Sequence, residues 1–353
     1  VTLTIETIDQ IDDAETLVGA WNVLAEDSSA QPTMTPGFAL NWWRHMGKGE
    51  LTLLIARDAQ GDLRAVAPLH QRRLIGIRTV RWLGHGSGVV GHVVAMPDDR
   101  LVRAAMWEAI TRRFSSAELV DVAKRDWEML EGLPVLRSDL NRCPTATMEP
   151  GWTMEDYLAG GIRKRARREL ARTRKRLVDG HATSEIRCGS SWLEVEALMP
   201  MVQKIYDAAE AEWPRLHLLA GEHQTFFRSM LKDAADRGRL DVLVVFVNDE
   251  PAAFDMMVSV GEAGHAVLGR YAPSAREWGL GHLLIEAMAA RVLERGLQIF
   301  NLQLGDDEYK RAWAEGGEDL VRIVTARHAA SKLFDHAVGM RHRAFRQVKS
   351  RLG

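Results

Sequence analysis

Two cysteines in 353 residues, Cys143 and Cys188, are too few for a disulfide framework or a four-ligand zinc site, and they point to a reduced cytosolic protein. No run of about 18 apolar residues is present, so no spanning helix is predicted. The opening VTLTIETIDQIDDAE is acidic and lacks the apolar core of a secretory leader, and a cytoplasmic location is expected. Charge of one sign is also missing. A formal net charge of -2 gives no global pull toward nucleic acid or an anionic membrane. Neither common phosphate loop occurs: there is no Gly-x-x-x-x-Gly-Lys-Ser/Thr and no Gly-x-Gly-x-x-Gly behind a first strand. This argues against a nucleotide hydrolase and a dinucleotide dehydrogenase. The twelve histidines show no His-Glu-x-x-His spacing, and no metal is expected. Ser87 and Ser274 have no Gly-x-Ser-x-Gly elbow, which argues against a serine hydrolase.

The length suits two domains. Thr2–Ile8 alternates as a strand, and an amphipathic helix follows over Asp12–Asp27. Pro32 and Pro36 precede a Trp-rich helix. Strands at Leu51–Arg57, Leu63–Arg72 and Arg78–Leu83 lead into a glycine-rich loop, Gly84–Gly91. A helix at Leu101–Phe114 and a strand at Ala117–Val122 close the first half. Cys143–Thr153 reads as a crossover. A helix over Met154–Asp179, a strand at Ser184–Cys188 and two further helices come next. They lead to a meander: Leu240–Asn248, Ala252–Val260 and His265–Tyr271. A helix at Leu280–Arg295 and a strand at Ile299–Leu304 complete the second half. The plan of the first half recurs, so an α/β fold with mixed sheets, duplicated at domain scale, is predicted. The expected divisions are residues 1–150, 151–325 and a basic helical tail, 326–353.

The pattern with most chemical content is the strand ending at Tyr271, followed by Arg276-x-x-Gly279-x-Gly281 and a helix. A diphosphate needs converging backbone N–H donors and a positive helix end. Gly279 and Gly281 allow close approach. The N–H groups of Leu280, Gly281, His282 and Leu283 can face phosphate oxygens, and Arg276 can add charge. An ordinary strand–turn–helix connection is the alternative. The antiparallel meander before the turn favours a donor with an extended arm that hydrogen-bonds like a strand.

These residues resemble the GNAT superfamily, whose CoA signature is Arg/Gln-x-x-Gly-x-Gly/Ala. More closely, the chain resembles the two-domain CelD-like or BioF2-like acetyltransferases related to the FemXAB peptidyltransferases. The likeness includes Pro36–Trp43, Ala67-Pro68-Leu69, Trp82-Leu83-Gly84, the Tyr157-Leu158 helix and Asp307-x-Tyr309-Lys310-x-x-Trp313. Where many relatives have Ser-Pro-Gly, this chain has Trp278-Gly279-Leu280-Gly281. The resemblance implies tandem GNAT-like folds, the first without its own CoA turn, with acetyl-CoA or another acyl-CoA as co-substrate. It also implies transfer to an amine acceptor such as an amino sugar, an amino acid or a carrier-bound amine. Relatives in exopolysaccharide settings lend weight to a sugar. A Fem-like aminoacyl or peptidyl transferase on a cell-wall precursor is the alternative, and a non-catalytic polysaccharide-assembly subunit is a third.

Amine acylation requires a base for the ammonium proton and an acid for the thiolate. Asp255, mid-strand in Ala-Ala-Phe-Asp-Met-Met, suits a base if buried; an outward-facing or arginine-paired strand carboxylate is the alternative. Tyr271 ends the strand that should touch the donor, or packs at its rim. Tyr309 is a candidate thiolate acid. Lys310 and Asp306 are candidates for holding the acceptor, Lys310 through an anionic group. A tyrosine packed on Trp313 beside a solvated lysine is the other reading. His265 is a weaker candidate, and Trp213, Met256, Met257 and Trp278 fit either a cleft or a core. Nine of the fourteen residues from Arg163 to Arg176 are Lys or Arg, on a helix whose other face is apolar. Either a solvated face or a polyanion site follows, and the lack of interleaved aromatics makes nucleic-acid stacking an unfavoured reading.

Overall fold

Alternating and apolar runs become strands, and the breaks between them fall at glycine and proline, as seen in the computed structural model. It describes residues 2–74, 76–214 and 218–326. In chain order the elements are β1 (Thr4–Ile8), α1 (Ile11–Thr16), α2 (Val18–Asp27), α3 (Pro36–Met46), β2 (Glu50–Arg57), β3 (Leu63–Leu74), β4 (Ile77–Trp82), β5 (Val94–Ala95), α4 (Arg100–Arg113), β6 (Ser116–Ala123), α5 (Lys124–Trp127) and β7 (Val135–Thr147). There follow α6 (Met154–Asp156), α7 (Lys164–Asp179), β8 (Ser184–Gly189), α8 (Trp192–Glu212), α9 (Gly221–Asp236), β9 (Leu240–Val247), β10 (Glu250–Val260), β11 (Ala263–Tyr271), α10 (Gly281–Glu294), β12 (Ile299–Asn301), α11 (Glu308–Trp313) and β13 (Gly316–Ala326). The predicted basic tail lies outside the described residues, apart from Ala326.

The chain folds as two compact units, and the sequence does not divide between them at one point. Among the described residues the first comprises 2–17, 48–140 and 320–326; the second comprises Val18–Gly47 and Asn141–Asp319. Residues 18–47 join the second unit through specific contacts. Phe38 meets Phe226 edge-on at 5.3 Å, Arg239 donates to Asn22 at 3.1 Å, and Glu26 pairs with Arg239 and accepts from the Gly261 N–H.

In the first unit β1, β2, β3 and β4 run antiparallel in sequence order. β6 then lies parallel to β4, joined at Val80–Ala117, with β13 antiparallel to β6 beyond it. Gly91 is bridged in parallel to Val122. Glu118, almost wholly buried on β6, pairs with Arg81 and with Arg322 at 3.0 Å.

The second unit has the order β7–β12–β11–β10–β9–β8. β9 is buried along its whole length, as expected of an apolar central strand. Its one ionic residue, Asp241, is fully buried and accepts from Arg291 at 3.0 Å, Arg295 at 2.8 Å and Ser190 at 2.6 Å. The apolar faces of α7 and α10 share a core with β9 and β10, built on Leu170, Leu177, Leu243, Met257, Leu284 and Met288.

Several predicted elements differ. The helix expected over Met154–Asp179 is interrupted: a π turn at Tyr157–Gly161 ends at Gly160-Gly161, Ile162 is extended, and α7 restarts after Arg163. Cys143–Thr153, read as a crossover, is strand up to Thr147 because Thr145–Thr147 pair with β12. β13 was not predicted. α1 and α2 are separated at Leu17, and the last predicted strand stops at Asn301. Both cysteines are free thiols. No described helix is long and apolar enough to cross a membrane. Among the described residues no group of three or more His, Cys, Asp and Glu could hold a metal ion.

Replacing Asp241 with Ala leaves two partly buried guanidinium groups without their shared, fully buried carboxylate. The expected loss is about 3 kcal/mol of unfolding free energy, read from urea denaturation.

Candidate functional site

The geometry of the second unit turns on one partial strand pairing. β11 is antiparallel to β10 along its length, but it pairs with β12 only at Ala263–Ile299, Gly264–Phe300 and His265–Asn301, in parallel. Beyond His265 the two strands part, and among the described residues Ala266–Tyr271 have no strand on that side. An extra residue in β11, between the partners of Met256 and Met257, bulges it at the point of parting. The parting is wedged by side chains: the Gln303 amide donates to Gln31 at 2.9 Å and meets His265 Nδ1 at 2.9 Å. His265 is buried in this group.

The free stretch of β11 leads into the turn. Pro273–Trp278 forms a short 3-10 helix, and Gly279 adopts φ 70°, a left-handed conformation that favours glycine. α10 starts at Gly281. Its first i to i−4 bond is Leu284 N–H to Leu280 C=O at 3.1 Å, so the N–H groups of Gly281 and Leu283 have no acceptor within the helix. Leu280 and Leu283 bury their side chains and can offer only backbone. A Cβ on Gly281 would meet no atom within 4 Å, so the space off the helix start is open. An open parted strand edge, a left-handed glycine and an open helix N-terminus together fit an extended arm that ends in phosphates.

Arg276 is exposed, with its guanidinium 5.7 Å over the Trp213 ring. Trp213 in turn meets Tyr271 at 5.4 Å. The three form a surface group at the end of β11. His282 Nδ1 accepts from the Trp313 indole at 2.8 Å, and the rings stack at 6.1 Å. Burial pushes the His282 pKa down; Arg176 and Arg165 act in the same direction, against Glu169. The Tyr157 hydroxyl donates to the Trp313 carbonyl at 2.6 Å. The Tyr157, Trp313 and His282 motifs are therefore one bonded chain leading to the first turn of α10.

Asp255 sits on β10 opposite Gly269 of β11. Its Oδ1 accepts from the Met256 N–H at 2.9 Å. A Cβ on Gly269 would fall well inside contact distance of Oδ2, so glycine here makes room for the carboxylate. Burial raises the Asp255 pKa to about 7, against the Met256 N–H and the charges of Lys310 and Arg270. Lys310, half-buried, donates to the Leu304 carbonyl at 2.7 Å. Burial lowers its pKa, opposed by Asp307, Asp255 and Cys143. The structure thus brings Asp255 and Lys310 within electrostatic reach. Tyr309 is 46% exposed and Tyr271 42%, whereas Asp306 is engaged by Arg311 at 2.8 Å. Met256 and Met257 are fully buried, which assigns them to the core.

Sequence reasoning missed Gly269, Thr173 and the local role of Arg176. The Thr173 hydroxyl donates to the Gly279 carbonyl at 3.1 Å, and Arg176 Nη1 lies 2.9 Å from where a Gly279 Cβ would be. No sequence signal pairs Gly269 with Asp255, because their register follows from the bulge.

Residues 164–311 match the family model described as an acetyltransferase (GNAT) domain. Among solved structures the chain is similar to FemX at 9% identity, over 90% of this chain and 96% of that one, with a TM-score of 0.59. It is similar to L-PGS from Bacillus licheniformis at 12% identity, over 93% and 97%, with a TM-score of 0.58. A tandem GNAT protein from the clavulanic acid biosynthesis pathway aligns at 13% identity, over 91% and 98%, with a TM-score of 0.50. At these identities the likeness is one of fold. No curated protein matches the sequence.

Asp255 gives a signed pH prediction. Its folded pKa, about 7, lies above the ordinary 3.8, so its contribution to stability is present below 3.8 and is lost as pH rises through 7. Asp255→Asn should therefore gain on the wild type between pH 4 and 8, by at most about 4 kcal/mol. Urea melts across that range measure the gain, and a constant difference would refute the shift.

Proposed function

We propose, from the match of residues 164–311 to the acetyltransferase (GNAT) domain model, that the chain is an N-acyltransferase that moves an acyl group, acetyl in the first instance, from acyl-CoA to an amine. The amine belongs to an amino sugar, an amino acid or a carrier-bound acceptor. The observation that carries this reading is the free edge of β11 running straight into the open start of α10. The backbone of Ala266–Tyr271 suits the amide-bearing arm of the donor by strand-like hydrogen bonds. The N–H groups around Gly281 suit its diphosphate, with Leu280 and Leu283 contributing backbone and Arg276 adding charge from the side of Trp213, whereas the His282 N–H expected there already donates to the Gly279 carbonyl at 3.4 Å.

In this reading Asp255 takes the proton from the acceptor ammonium, and the amine nitrogen then attacks the thioester carbonyl. The C–N bond forms as the C–S bond breaks. Tyr309 protonates the departing thiolate; the new amide nitrogen sheds its second proton, which restores Tyr309 through solvent, and Asp255 releases the first proton to solvent. Lys310 and Asp306 hold the acceptor, Lys310 through an anionic group. Tyr271 borders the donor arm. No covalent enzyme intermediate is needed, because the amine attacks directly.

The fold likeness to FemX and L-PGS keeps transfer of an aminoacyl group as a second reading. The turn favours CoA, because the N–H groups of Gly281 and Leu283 have no acceptor within the helix and face the start of α10. In the first unit Gly91 is bridged to Val122 beside the β4–β6 pairing, which supports a first domain without a CoA site of its own.

Titration calorimetry with acetyl-CoA should show micromolar binding that Gly281→Glu abolishes, because a carboxylate would enter the phosphate space. A folded wild type that binds no CoA would remove the donor from the proposal. The kcat/KM for acetyl transfer should rise with pH to a plateau above about 7. Tyr309→Phe should lower kcat about a hundredfold with CoA affinity unchanged.

A further inference from the structure

The basic helix α7 carries far less free charge than its sequence suggests. Arg165 pairs with Glu308, Arg172 with Glu169, and Lys175 with Asp179. Arg174 reaches both oxygens of Glu286 on α10 at 2.8 Å. Arg167 donates to the carbonyls of Leu158 at 2.8 Å and Ala159 at 2.5 Å. Arg165, Arg167 and Arg174 thus tie α7 to neighbouring elements, while Arg172 and Lys175 pair within the helix.

Arg176 stands apart by where its guanidinium lies. It is exposed and has no carboxylate partner among the described residues. Its guanidinium is not aimed away from the protein: Nη1 lies 2.9 Å from the position of a Cβ on Gly279. Three further contacts set it there. Thr173, one turn earlier and buried, donates to the Gly279 carbonyl at 3.1 Å. The Trp278 ring packs where a Cβ on Gly180 would stand, its Cη2 2.6 Å from that point. The Arg174–Glu286 pair fixes α7 against α10. The charge of Arg176 also helps keep His282, in the first turn of α10, from protonating.

From this we infer that Arg176 is a donor-binding residue: it grips the diphosphate of the acyl-CoA from the side opposite the α10 N–H groups. Thr173 and the glycines at 180 and 279 position it. The inference rests on the CoA reading and adds to it a side chain from a helix outside the turn. A guanidinium matches two phosphate oxygens at once, so the contact is worth more than a diffuse charge. Arg276, drawn over Trp213, adds its charge from that side of the turn.

The test is calorimetric binding to the full chain of acetyl-CoA, acetyl-dephospho-CoA and acetyl-pantetheine, for wild type and Arg176→Gln. The variant should bind the two diphosphate-bearing donors about tenfold more weakly, with acetyl-pantetheine unchanged. Unchanged pantetheine affinity also reports an intact fold. Equal acetyl-CoA affinity in wild type and variant would overturn the inference. So would a loss confined to acetyl-CoA, which would move the contact to the 3′-phosphate, or an equal loss for all three, which would make Arg176 structural. A wild type that binds acetyl-pantetheine no worse than acetyl-CoA would overturn it too. Failure of the wild type to bind any of the three is a separate result and overturns the CoA reading itself.

Discussion

β11 and β12 pair over three residues and then part, and the chemistry of the second unit depends on that parting. Backbone N–H and C=O groups must be satisfied, so a central strand that loses its neighbour mid-length is either solvated or reserved for a strand-like ligand. The parting is held open from both sides. β10 keeps β11 in a full antiparallel ladder with a bulge at the critical point, and Gln303 with His265 and Gln31 fills the fork. The same strand then delivers the chain to a left-handed glycine and a helix start. A slot for an extended arm and a seat for its phosphates follow from one local choice of pairing.

The first unit shows what the same layout does when the parting is closed. β4 and β6 are again parallel neighbours with minimal contact, at Val80–Ala117. Here the glycine-rich segment after β4 turns back, and Gly91 exchanges backbone hydrogen bonds with Asp121 and Ala123, at 2.9 and 3.1 Å. Asp121 takes a left-handed backbone, φ 50°, to allow this. Here the chain itself satisfies the edge of β6 that faces β4, whereas in the second unit the edge left free is that of β11. Glycine thus has opposite uses after corresponding strands: Gly281 leaves a space open, while Gly91 lets the backbone approach Trp82 closely.

Elements with a strong local period were legible in the sequence: β9 as an apolar run, the meander, α8, α10 and the glycine turn. Those fixed by distant partners were not. β7 carries Arg137, Asp139, Asn141 and Arg142 and a proline, and its strand character comes from pairing with β12, about 150 residues later. β13 pairs with β6 from nearly 200 residues away. The break in the helix before α7 had a visible signal in Gly160-Gly161, outweighed by the periodicity on either side. At the site, residue types and neighbourhood were readable, but the pairings were not. Whether Asp255 met solvent, an arginine or Gly269 depended on a bulge with no sequence signature. The charge run at Arg163–Arg176 was conspicuous, yet which members meet a carboxylate on another element depended on where Glu286 and Glu308 lie in space.

The tuning of Asp255 also follows from packing more than from charge. Two cations, Lys310 and Arg270, act to lower its pKa, and burial still raises it to about 7. The consequence for amine chemistry is quantitative. An ammonium transfers its proton to a carboxylate at 7 with roughly three fewer pH units of opposing gap than to one at 3.8, which amounts to about 4 kcal/mol of driving force. Lys310 limits the same shift: without a nearby cation the carboxyl would rise further and be protonated at neutral pH, unable to accept. Gly269 is the structural condition for both effects, because a side chain there would push the carboxylate out of the buried position that sets its proton affinity.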